Sequence, residues 1–334
     1  MIAEALKTRD WLLADGATGT NLFAMGLVSG EAPEIWNVEH PDRVKRLHQS
    51  FVEAGSDIIL TNSFGANRRR LALHKFEART HELNRLAALH GRAVAEAAGR
   101  TVLVAGSVGP TGDLYVPLGA LTEDAAVEIF VEQIEGLRDG GADVIWIETM
   151  SSFEEIRAAS RAAARVGMPY TVTASFDTAG STMMGIAPKS FIDTVAGFDP
   201  LPQAVGANCG VGAADLLVSI LDMTAAQPEL AVIAKGNCGI PKVEGDKILY
   251  TGTPALMADY ARLAVDAGAR ILGGCCGTTP GHVAAMRQAL DGYRRQERPD
   301  LAKIIATIGP LTAPPPTAAV REDAARRGRR RATS

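Results

Sequence analysis

Cys209 in Asn208-Cys209-Gly210 and the adjacent Cys275 and Cys276 in Gly273-Gly274-Cys275-Cys276-Gly277-Thr278-Thr279-Pro280 make up three of the chain's 4 cysteines. Neighbouring cysteines seldom bridge each other, because a disulfide needs separations and side-chain directions that adjacent residues reach only with strain. Two thiolates side by side suit a metal ion. Zinc takes four ligands and a catalytic site keeps one position open, so three protein thiolates leave one place for a substrate, here expected to be a thiol. An isolated free cysteine usually behaves as a small buried hydrophobe. The adjacency and the flanking glycines favour ligation for these three. Cys238, in Gly236-Asn237-Cys238-Gly239, imitates the Asn208 motif and is a rival that ranks behind them.

These groups need elements that bring them together. Short runs rich in Val, Ile and Leu recur along the chain, each followed by a segment of helical periodicity, which is the signature of βα units around a parallel sheet. Eight such runs are expected as strands, at 11–15, 57–62, 102–107, 144–148, 170–175, 204–209, 231–235 and 270–275. Glycine-bearing helix ends precede several of them, as in Glu53-Ala54-Gly55-Ser56-Asp57 and Asp266-Ala267-Gly268-Ala269, where glycine accepts a left-handed cap. Eight units predict an α/β fold, a (β/α)8 TIM barrel over residues 1–295. The Pro-, Ala- and Arg-rich residues 296–334 are expected to form a disordered tail without assigned function.

With 334 residues, 47% of them hydrophobic, the chain can bury one large core, since such barrels run to about 250 residues or more. A net charge of -4 offers no basic footprint for nucleic acid outside the extreme C-terminus. The charged first ten residues resemble no secretion signal, and no apolar stretch reaches the roughly 18 residues of a membrane span. A cytoplasmic location is expected, where a reducing environment keeps thiols free.

Barrel enzymes place their active sites at the C-terminal ends of the strands, so polar residues closing the apolar runs are the candidates. They are Asp15-Gly16-Ala17-Thr18-Gly19-Thr20, Thr61-Asn62-Ser63-Phe64, Glu148-Thr149, Asn208-Cys209 and Cys275-Cys276. Asp15 and Glu148 could receive a substrate ammonium, although a helix cap and a rim ion pair are ordinary uses for such carboxylates. Amides of the turn Gly16, Ala17, Thr18 and Gly19 could cradle a carboxylate. Asn208 joins the substrate-binding candidates. None of the 6 histidines shows metalloprotease spacing, and Gly210-Val211-Gly212 lacks the third glycine of a dinucleotide fingerprint.

These motifs resemble the homocysteine S-methyltransferase family over most of residues 10–290. The resemblance implies a zinc-dependent barrel in which Cys209, Cys275 and Cys276 bind Zn2+ while Asp15 and Glu148 hold the homocysteine amino group. The zinc-bound thiolate would attack a methyl group and release methionine. Family members draw that group from glycine betaine, S-methylmethionine or a methylated corrinoid. The betaine enzymes carry tyrosines where this chain has Gly65 and Thr149. In contrast, Gly109-Pro110-Thr111-Gly112-Asp113-Leu114 and Val116-Pro117-Leu118-Gly119 look like the homocysteine barrel of cobalamin-dependent methionine synthase. The expected donor is therefore a methylated corrinoid on a separate corrinoid-binding protein, because no cobalamin domain follows residue 290. Use of betaine or S-methylmethionine, or a non-catalytic homocysteine- or zinc-binding module, are the alternatives.

Overall fold

The computed structural model describes residues 1–244 and 247–312. The parallel strands are β1 (Leu12–Leu13), β2 (Ile58–Leu60), β3 (Leu103–Val108), β4 (Val144–Met150), β5 (Tyr170–Ala174), β6 (Val205–Cys209), β7 (Val232–Gly236) and β8 (Ile271–Gly274). All eight expected runs form strands, with ends shifted by a residue or two. Each strand pairs with its sequence neighbour, and β8 pairs with β1. The barrel closes through an Ala14 to Ile58 bridge flanked by amides of Asp57 and Asp15 bonded across β1 and β2. An antiparallel ribbon, Pro241–Glu244 with Lys247–Tyr250, rises after β7. The sequence reading did not anticipate it.

Side-chain alternation sorts the apolar residues into two layers. Leu12, Ala14, Ile58, Leu60, Ala105, Val144, Trp146, Ile233 and Ile271 form the barrel interior, and Ile2 of the helix Ile2–Thr8 packs among them. The larger outer layer joins strands to helices. The helix Phe153–Val166 shows how local sequence builds it. Ser152 accepts a hydrogen bond from the Glu155 amide at the start, Ile156, Ala159 and Ala163 bury one face, and Gly167 ends the helix at φ 75°.

The expected boundary at residue 295 needs correction. Leu301–Ile308 is a helix capped by Asp300, with Ile304 fully buried against the helices Ala213–Ala226 and Pro254–Asp266. The Thr312 amide donates to the Asp215 carboxylate. An apolar stripe two turns long was masked by the Pro and Arg content of the whole segment. The remainder of the predicted tail, 313–334, lies outside the described residues. Among the described residues no helix is long and apolar enough to cross a membrane.

Candidate active site

Register brings the cysteines to one height. Cys209 on β6 pairs with Gly236 on β7, and Gly236 pairs with Gly274 on β8, so Cys209 and Cys275 leave the rim at the same level. Cys209 carries a positive φ of 62°, a conformation few side chains adopt, and such strain clusters at functional sites. The Cys275-Cys276 turn depends on its glycines. A Cβ on Gly274 would stand 2.2 Å from Thr278, and one on Gly277, at φ 77°, would stand 2.2 Å from the Tyr250 ring.

The sulfurs of Cys209, Cys275 and Cys276 all lie within 4.8 Å of one another. Those of Cys209 and Cys276 are 3.8 Å apart. Tetrahedral zinc with bonds of about 2.3 Å separates its sulfurs by about 3.8 Å, so the three residues fit such an ion. Their protonation is interdependent. Hydrogen bonds from Cys209 and then Cys275 pull Cys276 down to about 3, whereas Cys275 and then Cys276 push Cys209 above the ordinary thiol range. One thiolate forms readily and its neighbours resist, a conflict that a cation at the centre relieves. Cys238 is excluded: it is fully buried outside this cluster, and a Cβ on Gly252 would stand 2.7 Å from its sulfur.

Two asparagines lock the thiol wall. Asn208 accepts from the Thr149 amide at 2.8 Å and the Thr173 hydroxyl at 2.6 Å. Its own amide donates to the Thr149 hydroxyl at 2.7 Å and lies 3.8 Å from the Cys275 sulfur. Its polar atoms thus serve strand ends and cysteine. Asn237 donates to the Gly210 carbonyl at 2.7 Å and accepts from the Cys276 amide at 3.0 Å, tying the two cysteine loops together. The sequence reading singled out the repeated Asn-Cys-Gly motif for its cysteine. The structure adds that both asparagines brace the cysteine loops.

A pocket of about 490 Å³ opens above the cysteines, lined also by Gly16, Ala17, Thr18, Glu34, Glu148, Lys235 and Tyr250. Glu148 follows Val144 and Trp146 on the inward face of β4 and accepts from the Ser107 hydroxyl at 2.5 Å. Burial, then the Cys275 charge, raises its pKa to about 7. Asp15 is almost fully buried. One of its oxygens accepts from the Leu60 amide at 2.7 Å, the other from Lys235 Nζ at 2.9 Å. Burial pushes Asp15 above the usual carboxylate range, against the pull of Lys235. Sequence reasoning missed Lys235 because a lysine ending a strand looks like an ordinary rim cation. It also missed Glu34, whose carboxylate accepts from the Gly65 amide at 2.7 Å. A Cβ at position 65 would lie 2.9 Å from that oxygen.

Fold and site together define a barrel that presents a cluster of three cysteine sulfurs and buried charges at the C-terminal ends of its strands. Residues 12–290 match the family described as homocysteine S-methyltransferase, and the chain belongs to that family. It is 30% identical over 305 residues to a methionine synthase of Mycobacterium tuberculosis, covering 86% of this chain and 25% of that protein. The chain therefore spans about a quarter of that relative's length. The metallated form of the homocysteine methyltransferase MmuM from Escherichia coli superimposes with a TM-score of 0.73 at 26% identity, over 85% of this chain and 98% of that one. Its oxidized form also gives 0.73 at 26% identity, with 85% and 97% covered.

Proposed function

We propose that the chain transfers a methyl group to the thiol of homocysteine, forming methionine, with zinc held by Cys209, Cys275 and Cys276. The observation that carries this reading is the three-sulfur cluster beneath a pocket that also holds Glu148. Zinc, when bound, keeps the substrate thiol deprotonated near neutral pH. Glu148 receives the substrate ammonium on the oxygen that Ser107 leaves available. Asp15 stands behind it, held by Lys235 and Leu60. Gly16, Ala17 and Thr18 wall the pocket where backbone can approach the substrate closely. Asn208 positions the cysteine wall.

For the methyl donor, the reading is a methylated corrinoid on a separate protein. Val28, Leu73, Leu114, Val116, Leu118 and Met183 are each more than half exposed, and all lie in segments following the C-terminal ends of β1, β2, β3 or β5. Exposed apolar side chains on the loops at that end of the barrel suit a macromolecular partner, because exposed apolar surface marks interaction sites. A small onium donor would instead need an enclosed aromatic cage. Gly65 backed by Glu34 and the left-handed Thr149 occupy the positions where the betaine enzymes have tyrosines. Phe23 and Phe64, the phenylalanines of the pocket, are 49% and 38% exposed.

The test is methionine formation from homocysteine by zinc-loaded protein with one donor at a time. Turnover is expected with a methylated corrinoid protein. Turnover with glycine betaine or S-methylmethionine alone would replace the donor half of the reading. Zinc and homocysteine binding without turnover on any donor would leave a binding module.

A further inference from the structure

The turn that carries Cys275 and Cys276 is clasped from outside by the antiparallel ribbon. The Cys238 amide, just before the ribbon, donates to the Cys276 carbonyl at 2.9 Å, and the Cys276 amide donates to Asn237 at 3.0 Å. Tyr250 closes the returning strand Lys247–Tyr250, opposite Pro241. Its ring fills the space that a side chain at position 277 would need, since a Cβ on Gly277 would stand 2.2 Å from Tyr250 Cγ. Backbone and ring thus hold residue 276 between them. The ring lines the pocket beside all three cysteines, and the Tyr250 hydroxyl donates a hydrogen bond to the Cys276 sulfur. Packing on Gly277 would be served equally by phenylalanine, so the hydroxyl needs another reason.

A zinc ion held by three protein thiolates and one substrate thiolate would present four sulfurs to a methyl donor. A hydrogen bond withdraws electron density from a thiolate lone pair and makes that sulfur a poorer nucleophile. The Asn208 amide stands 3.8 Å from the Cys275 sulfur, whereas Cys209 faces the Cys276 sulfur at 3.8 Å. We propose that Tyr250 damps the nucleophilicity of Cys276 through its hydroxyl, so that the methyl group passes to the substrate sulfur and not to the protein. This inference rests on the zinc reading above and adds to it a residue that decides which sulfur reacts. Tyr250 acts through Cys276 and is a positioning residue.

The test removes the hydroxyl and keeps the ring. Zinc-loaded wild type and Tyr250→Phe are treated with limiting iodoacetamide, whose carbon bonds to sulfur as iodide leaves. Alkylation at Cys209, Cys275 and Cys276 is read separately by peptide fragmentation in the mass spectrometer, and zinc content before treatment is measured in parallel. The ratio of Cys276 to Cys209 alkylation is expected to rise about fivefold or more in the variant, as loss of one charge-assisted hydrogen bond implies. Cobalt-substituted protein gives a second readout that packing does not move. The sulfur-to-cobalt charge-transfer band should shift to lower energy in Tyr250→Phe, because a lone pair without its hydrogen bond is easier to oxidise. An unchanged ratio, an unmoved band, or an equal rise at all three cysteines, as a merely loosened turn would give, would overturn the inference. Zinc binding by wild type would then leave the parent reading intact, whereas wild type that binds neither zinc nor cobalt would overturn both.

Discussion

The thiol wall and the exposed apolar loops differ in how they are held. At the thiol wall, consecutive strand ends, two asparagine bridges and tight glycine contacts leave the three sulfurs little freedom. In the connections after β3 and β5, by contrast, apolar side chains such as Leu118 and Met183 are largely exposed. An ion would demand sulfur positions accurate to a few tenths of an ångström, which strand termini braced from behind can supply. A partner surface demands complementary apolar area, which loops can provide.

The greatest expected effect is at the wall. Cys209→Ala, Cys275→Ala or Cys276→Ala should each abolish stable zinc binding, read as metal content after gel filtration, and with it methionine formation. The barrel should remain folded by circular dichroism, because its apolar layers lie apart from the cluster. Survival of full zinc occupancy in any of the three would break the assignment. Asn237→Ala should lower zinc affinity by about 10- to 100-fold in chelator competition, as loss of a ligand-orienting partner typically does. An unchanged affinity would mean that the loops hold their cysteines without it.

At the rim the expected losses are smaller and selective. Leu118→Asp should reduce kcat/KM with a methylated corrinoid protein about tenfold, by placing a charge in an apolar contact. Zinc content and homocysteine affinity should not move. A matching loss of homocysteine affinity would erase the distinction between wall and rim.

An effect of another kind, on stability and not on the site, belongs to the helix Pro41–Glu53, which carries His48. Burial, then the neighbouring His90, lowers the His48 pKa from 6.5 to about 4. Because the folded value is depressed, this site adds no pH dependence above pH 6.5, and stability falls as the pH drops from there toward 4. The full loss is about 3 kcal/mol. His48→Phe should flatten this acid limb in urea denaturation at pH 7 and pH 4.5; an equally steep limb would assign it to other groups.

Much of the site was legible in the chain because its chemistry is carried by local motifs. Cys209 and the 275–276 pair announce themselves by residue type, and apolar runs ended by glycine-capped helices specify the barrel that gathers them. Glu148 was legible as the single charge closing an apolar run. The brackets around these residues were not. Asn237 hid behind the cysteine that follows it, and Glu34 arrives from a connection far from the Gly65 amide it meets. The helix Leu301–Ile308 was obscured by its composition, since only docking on two other helices distinguishes eight apolar-rich residues from a tail.

Residue types and periodicity by themselves determined the barrel, the three clustered cysteines and the face on which they meet, because each depends on short-range backbone preferences and on the alternation of strands and helices. Tertiary structure alone decided which charges remain available. Lys235 and Asp15 lie on strands seven and one, and nothing in either segment tells that they pair at 2.9 Å in the barrel interior. Burial turns them from two rim charges into one ion pair, and so leaves Glu148 as the unpaired carboxylate beside the cysteines in the pocket lining.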